Sequence, residues 1–150
     1  MLKIRKATIA DAEILAENNL LLADESENIK LDYETTLKGV KEVICDKSKG
    51  FIIVAEENNK IIGQTMITFE WSDWYNKNIW WLQSVYVKKP YRKKEVFSKI
   101  LNYVKKIANE KEIDTLRLYV HNDNINAMKA YEKTNFEKRP YSVYQIEIVD

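Results

Sequence analysis

Residues 78–87, NIWWLQSVYV, lead into a proline, a basic turn and an apolar repeat, and that succession leaves few folds open. The run is rich in aromatic and β-branched residues, which suit a strand packed within a sheet. Pro90 offers no backbone donor and closes it. Val96, Ile100, Val104 and Ile107 then recur close to i, i+4 spacing, which predicts a helix with one buried stripe. IDTLRLYV, at residues 113–120, predicts another strand. Strand, helix and strand across residues 79–120 form a crossover unit, which is expected to be parallel and right-handed.

The remainder of the chain supplies the partners. Leu2, Ile4 and Ala7 alternate with Lys3, Arg5 and Lys6 as a half-buried strand does. Thr8 and Asp11 have the spacing of a helix cap, and Ala12, Leu15, Ala16, Asn19 and Leu22 give that first helix its inner face. Asp32 suits the N-cap of a second helix that buries Leu37, Val40 and Ile44. Cys45 falls in the same apolar pattern and is expected to be a buried spectator. After Gly50, FIIVAEENNKIIGQTMITFEW reads as two strands around an Asn58-Asn59 turn. Residues 124–134 predict a short helix and residues 141–149 a closing strand. The order is β-α-α-β-β-β-α-β-α-β. The expected fold is α/β, a mixed and mostly antiparallel sheet with one parallel crossover and helices on both faces, in a single domain over residues 1–150.

Composition removes several classes of function. Basic and acidic residues number 24 and 23, a balance unlike the broad basic face of a nucleic-acid binder. No apolar run nears the roughly 20 residues that cross a bilayer, and MLKIRKATIAD lacks the apolar core of a signal peptide. One cysteine forms no internal disulfide, so a cytoplasmic setting is expected, with no nucleic-acid or membrane partner. The even balance conceals a local excess: KKPYRKK sets five cations in residues 88–94, either as a solvated turn or as an anion site.

The element order and two motifs resemble the Gcn5-related N-acetyltransferase (GNAT) superfamily, over essentially the whole chain. In VYVKKPYRKKEVF, Arg92 takes the first position of the family's R/Q-x-x-G-x-G/A turn, with Glu95 and Phe97 at the two glycines. Asn124, Ala127, Tyr131 and then Asn135-Phe136 follow the second motif, asparagine replacing its glycine. TFEWSDW, WWLQSVYV and YRKKEVF are similar to segments of a bacterial subgroup in which phenylalanine at the second glycine position is usual. Glu95 is the real departure.

The resemblance implies acetyl-CoA as co-substrate. It lies where two strands splay, with main-chain groups around Val85, Tyr86 and Val87 along its pantetheine arm and Asn124 beside it. The turn of Arg92, Lys93, Lys94, Glu95, Val96 and Phe97 would cradle the pyrophosphate, because a helix N-terminus carries orphan donors and partial positive charge. Glycine is required at Glu95 only if φ there is positive or the phosphate touches its Cα. Tyr131 matches the family's general acid, which protonates the departing thiolate. Direct transfer to a primary amine of a small molecule, peptide or protein follows, with no metal. The amine must also lose a proton. Glu70, at the end of a strand, is the first candidate base, with Glu25 and Asp73 the other nearby carboxylates and a water chain to solvent the alternative. His121 reads as an exposed loop residue. Four tryptophans lie between residues 71 and 81. Trp71 and Trp74, with Asp73 and Glu25, suit an acceptor wall, and the same cluster suits a homodimer contact. The other reading is a non-catalytic GNAT-fold module that binds CoA or a partner through a degenerate pyrophosphate loop.

Overall fold

The computed structural model describes residues 1–149. Its elements are β1 (Leu2–Lys6), α1 (Ala12–Glu27), α2 (Tyr33–Cys45), β2 (Phe51–Glu57), β3 (Lys60–Ser72), β4 (Lys77–Val87), α3 (Val96–Glu110), β5 (Leu116–Arg117) and α4 (Ile125–Lys133). The five strands lie in chain order in one sheet, antiparallel from β1 to β4 and parallel between β4 and β5. The expected α/β class and crossover are present.

Period-2 alternation along β2 divides the core. Ile53 and Ala55 face one side, where Val96, Ile100, Leu101 and Val104 of α3 pack. Ile52 and Val54 face the other, against Leu15 and Ala16 of α1 and Val40 and Val43 of α2. The sheet is thus covered on both faces, as an amphipathic helix on each side demands. Asn58 and Asn59 take φ of 51° and 63°, the left-handed pair that closes the β2–β3 hairpin. Asp11 accepts the Thr8 N–H at 2.8 Å, so the expected start of α1 holds. Gly63 of β3 lies under α3: a Cβ there would meet Val96 Cγ1 at 3.0 Å. Its lack of a side chain lets the first turn of α3 sit against the sheet.

Three expectations are corrected. The strand expected over residues 113–120 forms a ladder only at Leu116–Arg117, because β4 and β5 part beyond Trp81 and Arg117. Residues 141–149 form no strand, since no segment of their own sheet pairs with them. Cys45 is exposed, not buried: it is the last residue of α2, rotated off the face that Val40 and Val43 bury.

Candidate active site

Between β3 and β4 the register slips: Gln64 faces Tyr86 and Met66 faces Gln83, so Thr65 opposes both Ser84 and Val85. Ser84 has φ of 51°, and the resulting bulge bends β4 where it leaves β5. From Leu82 to Val87 no described residue pairs with the outer edge of β4. Such an edge can hydrogen-bond an extended ligand as another strand would.

The edge runs directly into the basic turn. A 3-10 turn over Lys89–Tyr91 carries Pro90, and α3 begins at Val96 after Glu95 as N-cap. No side chain caps α3, so its first N–H groups are free for an anion. Glu95 has φ of 65° and ψ of 18°, and Lys93 has φ of 62°. The glycine of the motif is missing, but its backbone conformation is kept. The Glu95 side chain points to solvent, as do Lys93 and Lys94.

Arg92, though exposed, is held against the protein. Its Nε donates to the Val87 carbonyl at 2.7 Å, and its Nη2 donates to Glu25 Oε1 at 2.9 Å. Glu25 Oε2 also accepts the Tyr86 hydroxyl at 2.6 Å. Burial alone would raise the Glu25 pKa, but these two hydrogen bonds and the charges of Arg92 and Lys89 bring it below the usual value. Burial first, and then the bond to Glu25, push the Tyr86 phenol up to about 12. The three side chains tie the end of α1 to the end of β4 and to the turn. Glu25 is thus engaged with Tyr86 and with the basic turn.

Tyr131, on α4, reaches the first turn of α3. Its ring packs edge-on against Phe97 at 5.3 Å and Phe136 at 5.9 Å. Burial holds its phenol up at about 12, and no hydrogen bond offsets this. Asn124 caps α4, its Oδ1 accepting the Ala127 N–H at 3.2 Å, which leaves its amide N–H groups for a ligand. Asn135, at φ of 73°, ends the helix in the left-handed conformation that asparagine tolerates.

A cavity of about 280 Å³ opens on the other side of the bulge, between α1, α2 and the sheet. Asn19, Thr36, Gln64 and Ser84 give it polar groups, and Leu15, Val40, Ile52 and Met66 give it apolar walls. Beneath it Asn18 Nδ2 donates to Gln64 Oε1 at 2.9 Å, and Gln64 Nε2 donates to Asn19 Oδ1 at 2.8 Å. Sequence reasoning missed this amide network. Its signal was Asn19, a polar residue on the inward stripe of the first helix.

The candidates on the β3–β4 hairpin lie elsewhere. Glu70 faces Ile79, five residues before Ser84 along β4, about 16 Å at ~3.3 Å per residue. It accepts Trp81 Nε1 at 2.7 Å and pairs with Arg117 at 3.2 Å. Trp71 and Trp74 are 60% and 85% exposed towards the hairpin tip, with Asp73 beside them. Trp80 is a core residue packed on Phe51 and Phe69, and Trp81 meets Tyr119. The structure joins Glu25 to Tyr86 and to Arg92 of the turn, and Tyr131 to Phe97 in the first turn of α3. It does not bring Glu70, Trp71, Asp73 or Trp74 to the bulge.

A bulged, splayed sheet, a glycine-type turn before an uncapped helix and a half-buried phenol beside it fit the acyl-CoA-dependent acyltransferase class. Residues 17–136 match the model of the Acetyltransferase (GNAT) family, and the chain belongs to that family. GNAT enzymes use acetyl-CoA. The chain is 40% identical to "a possible acetyltransferase from Clostridium difficile 630", whose crystal structure superposes with a TM-score of 0.90 over 100% of this chain and 99% of that one. A "predicted acetyltransferase with acetyl-CoA from Clostridium acetobutylicum" shares the fold, with a TM-score of 0.81 over 97% of this chain and 96% of that one at 19% identity. A 72-residue stretch is 36% identical to thialysine N-epsilon-acetyltransferase of Bos taurus, covering 48% of this chain and 42% of that enzyme. Among the described residues no helix is long and apolar enough to cross a membrane.

Proposed function

We propose that this chain transfers the acetyl group of acetyl-CoA directly to a primary amine carried by a small molecule or by a peptide or protein. The observation that carries this reading is Tyr131, a half-buried tyrosine of the second motif whose ring packs on Phe97 in the first turn of α3. The pyrophosphate rests on the N–H groups of Val96 and Phe97, with Lys93 and Lys94 adding charge. The pantetheine arm lies along Val85, Tyr86 and Val87, and Asn124 closes on it from α4. The arm delivers the thioester to the bulge.

The acceptor enters through the cavity at Asn19, Gln64 and Ser84. Its amine nitrogen attacks the thioester carbonyl carbon, the carbon–sulfur bond breaks, and the Tyr131 hydroxyl donates its proton to the departing sulfur. The tyrosinate recovers a proton from the nitrogen as the amide forms. No carboxylate lines the cavity. The ammonium is therefore deprotonated through water, and Glu70, engaged by Trp81 and Arg117, acts only across intervening water. A 280 Å³ cavity with uncharged amides suits a small amine or a single residue of a peptide.

Tyr131→Phe tests the assignment. Turnover is expected to drop about 100-fold or more, the scale of a lost general acid, while the Kd for acetyl-CoA stays within a few-fold. Equal losses in turnover and affinity would reduce Tyr131 to packing.

A further inference from the structure

We infer that Gly39 and the amide chain of Asn18, Gln64 and Asn19 select the acceptor. They admit a compact amine with a carbonyl oxygen beside it, as an amino-acid amide or a peptide N-terminus has, and refuse diamines and polyamines. This selection presupposes that the cavity of about 280 Å³ between α1, α2 and the sheet receives the acceptor, as proposed.

Two residues beside this cavity weaken the fold. The first is Gly39, in the interior of α2. A glycine inside a helix is unfavourable relative to alanine, because its backbone has more freedom to lose. The chain's other two glycines have packing reasons: a Cβ at Gly50 would strike the Ile67 carbonyl, and one at Gly63 would press on Val96. A Cβ at Gly39 would meet nothing within 4 Å. Thr36, Gly39 and Val40 share one face of α2 at i, i+3 and i+4 spacing, and all three line the cavity. Gly39 is exposed, so it lies where the cavity opens to solvent. The space that a side chain would take there is left to a ligand.

Asn18 is the second. It is fully buried, and its Oδ1 has no hydrogen-bond partner among the described residues. An unmet buried acceptor is destabilising. Its Nδ2, however, donates to Gln64 Oε1 at 2.9 Å, and Gln64 Nε2 donates to Asn19 Oδ1 at 2.8 Å. Turning all three amides about would leave two Asn18 N–H groups unpaired in place of one oxygen, so the direction of the chain is set. Asn19 therefore lines the cavity with its oxygen engaged and its Nδ2 donors unbonded among the described residues. Donors there suit a carbonyl oxygen. They offer nothing to a second ammonium, which no carboxylate of the lining would neutralise, and an unpaired buried charge is costly. The cavity is also smaller than the roughly 300–1,000 Å³ of drug-sized sites, which keeps the occupant compact.

Steady-state kinetics with acetyl-CoA and three amines of like shape test this, each rate being referred to the unprotonated amine. The amines are alaninamide, 1,2-dimethylpropylamine, which lacks the carbonyl, and 1,2-diaminopropane, which replaces it with an amine. The native chain is expected to prefer alaninamide to either by about 10-fold or more in kcat/KM. Asn19→Leu should bring that ratio close to unity and Asn18→Leu should lower it, a change in selectivity that lost packing alone would not produce. Gly39→Leu should raise the KM for alaninamide by about 10-fold and leave the Kd for acetyl-CoA within about two-fold. Gly39→Ala should raise the melting temperature by about 2–4 °C and raise that KM by less. A KM unmoved in both Gly39 variants, a ratio unmoved by Asn19→Leu, or a native preference for the diamine or for spermidine would overturn the selection and leave acetyl transfer standing. A native chain that acetylates none of these amines, nor lysine, would overturn acetyl transfer itself and the selection with it.

Discussion

Glu95 is where a side chain and its backbone disagree. A left-handed conformation costs a non-glycine residue about 1–2 kcal/mol, and Glu95 holds one at φ of 65°. Glycine would relieve that strain but lose about 0.5–1 kcal/mol through its freer unfolded chain. Strain is the larger effect, so Glu95→Gly is expected to raise stability by about 0.5 kcal/mol in thermal melts. It also removes a carboxylate from the proposed phosphate turn, worth about 1 kcal/mol at contact in water, so acetyl-CoA should bind several-fold more tightly by calorimetry. Unchanged binding would show that the carboxylate does not face the ligand. The missing glycine was plain in the sequence. The angle was not, because glutamate carries no demand for positive φ. Tyr131 was found by its motif, and its environment came only with the ring contacts. Its phenol and that of Tyr86 lie at about 12 instead of 10.0. Between those values the folded chain keeps protons that the unfolded chain has released, so stability falls as pH rises through pH 10 to 12. Tyr131→Phe should flatten that fall in the melting temperature, and an unaltered slope would assign it to other groups.

Among elements, the join between α1, β4 and the turn matters most. Glu25, Tyr86 and Arg92 are far apart in sequence, and nothing in their spacing announced a cluster. Glu25 accepts from a phenol and a guanidinium at once. Glu25→Gln keeps the shape but removes the charge that strengthens both bonds. A stability loss of about 1 kcal/mol is expected, charge-assisted bonds being worth roughly 1.5–3 kcal/mol before allowance for partial exposure. Amide exchange from Val87 to Phe97 should quicken. A slower or unchanged rate would mean that the turn holds itself. Periodicity found both strands of the β2–β3 hairpin, β4 and every helix, because their patterns are satisfied inside one chain. It overran at β5 and at residues 141–149. A strand is an agreement between two segments, and alternation reports only one of them.

For the molecule as a whole, most of the architecture was legible, since two helix stripes and an alternating sheet admit few arrangements. The candidate site was legible in halves. The cofactor side follows motifs, which lie in contiguous stretches. The acceptor side, as proposed, is made by Asn19, Thr36, Gln64 and Ser84, drawn from four elements with no common spacing. Their grouping exists only after the bulge has bent β4. Whether a turn with glutamate in place of glycine still receives acetyl-CoA decides what this molecule can do. Calorimetric titration of the native chain with acetyl-CoA measures this directly. Saturable one-to-one binding below millimolar concentration is the predicted result, and no heat of binding at millimolar acetyl-CoA would contradict it.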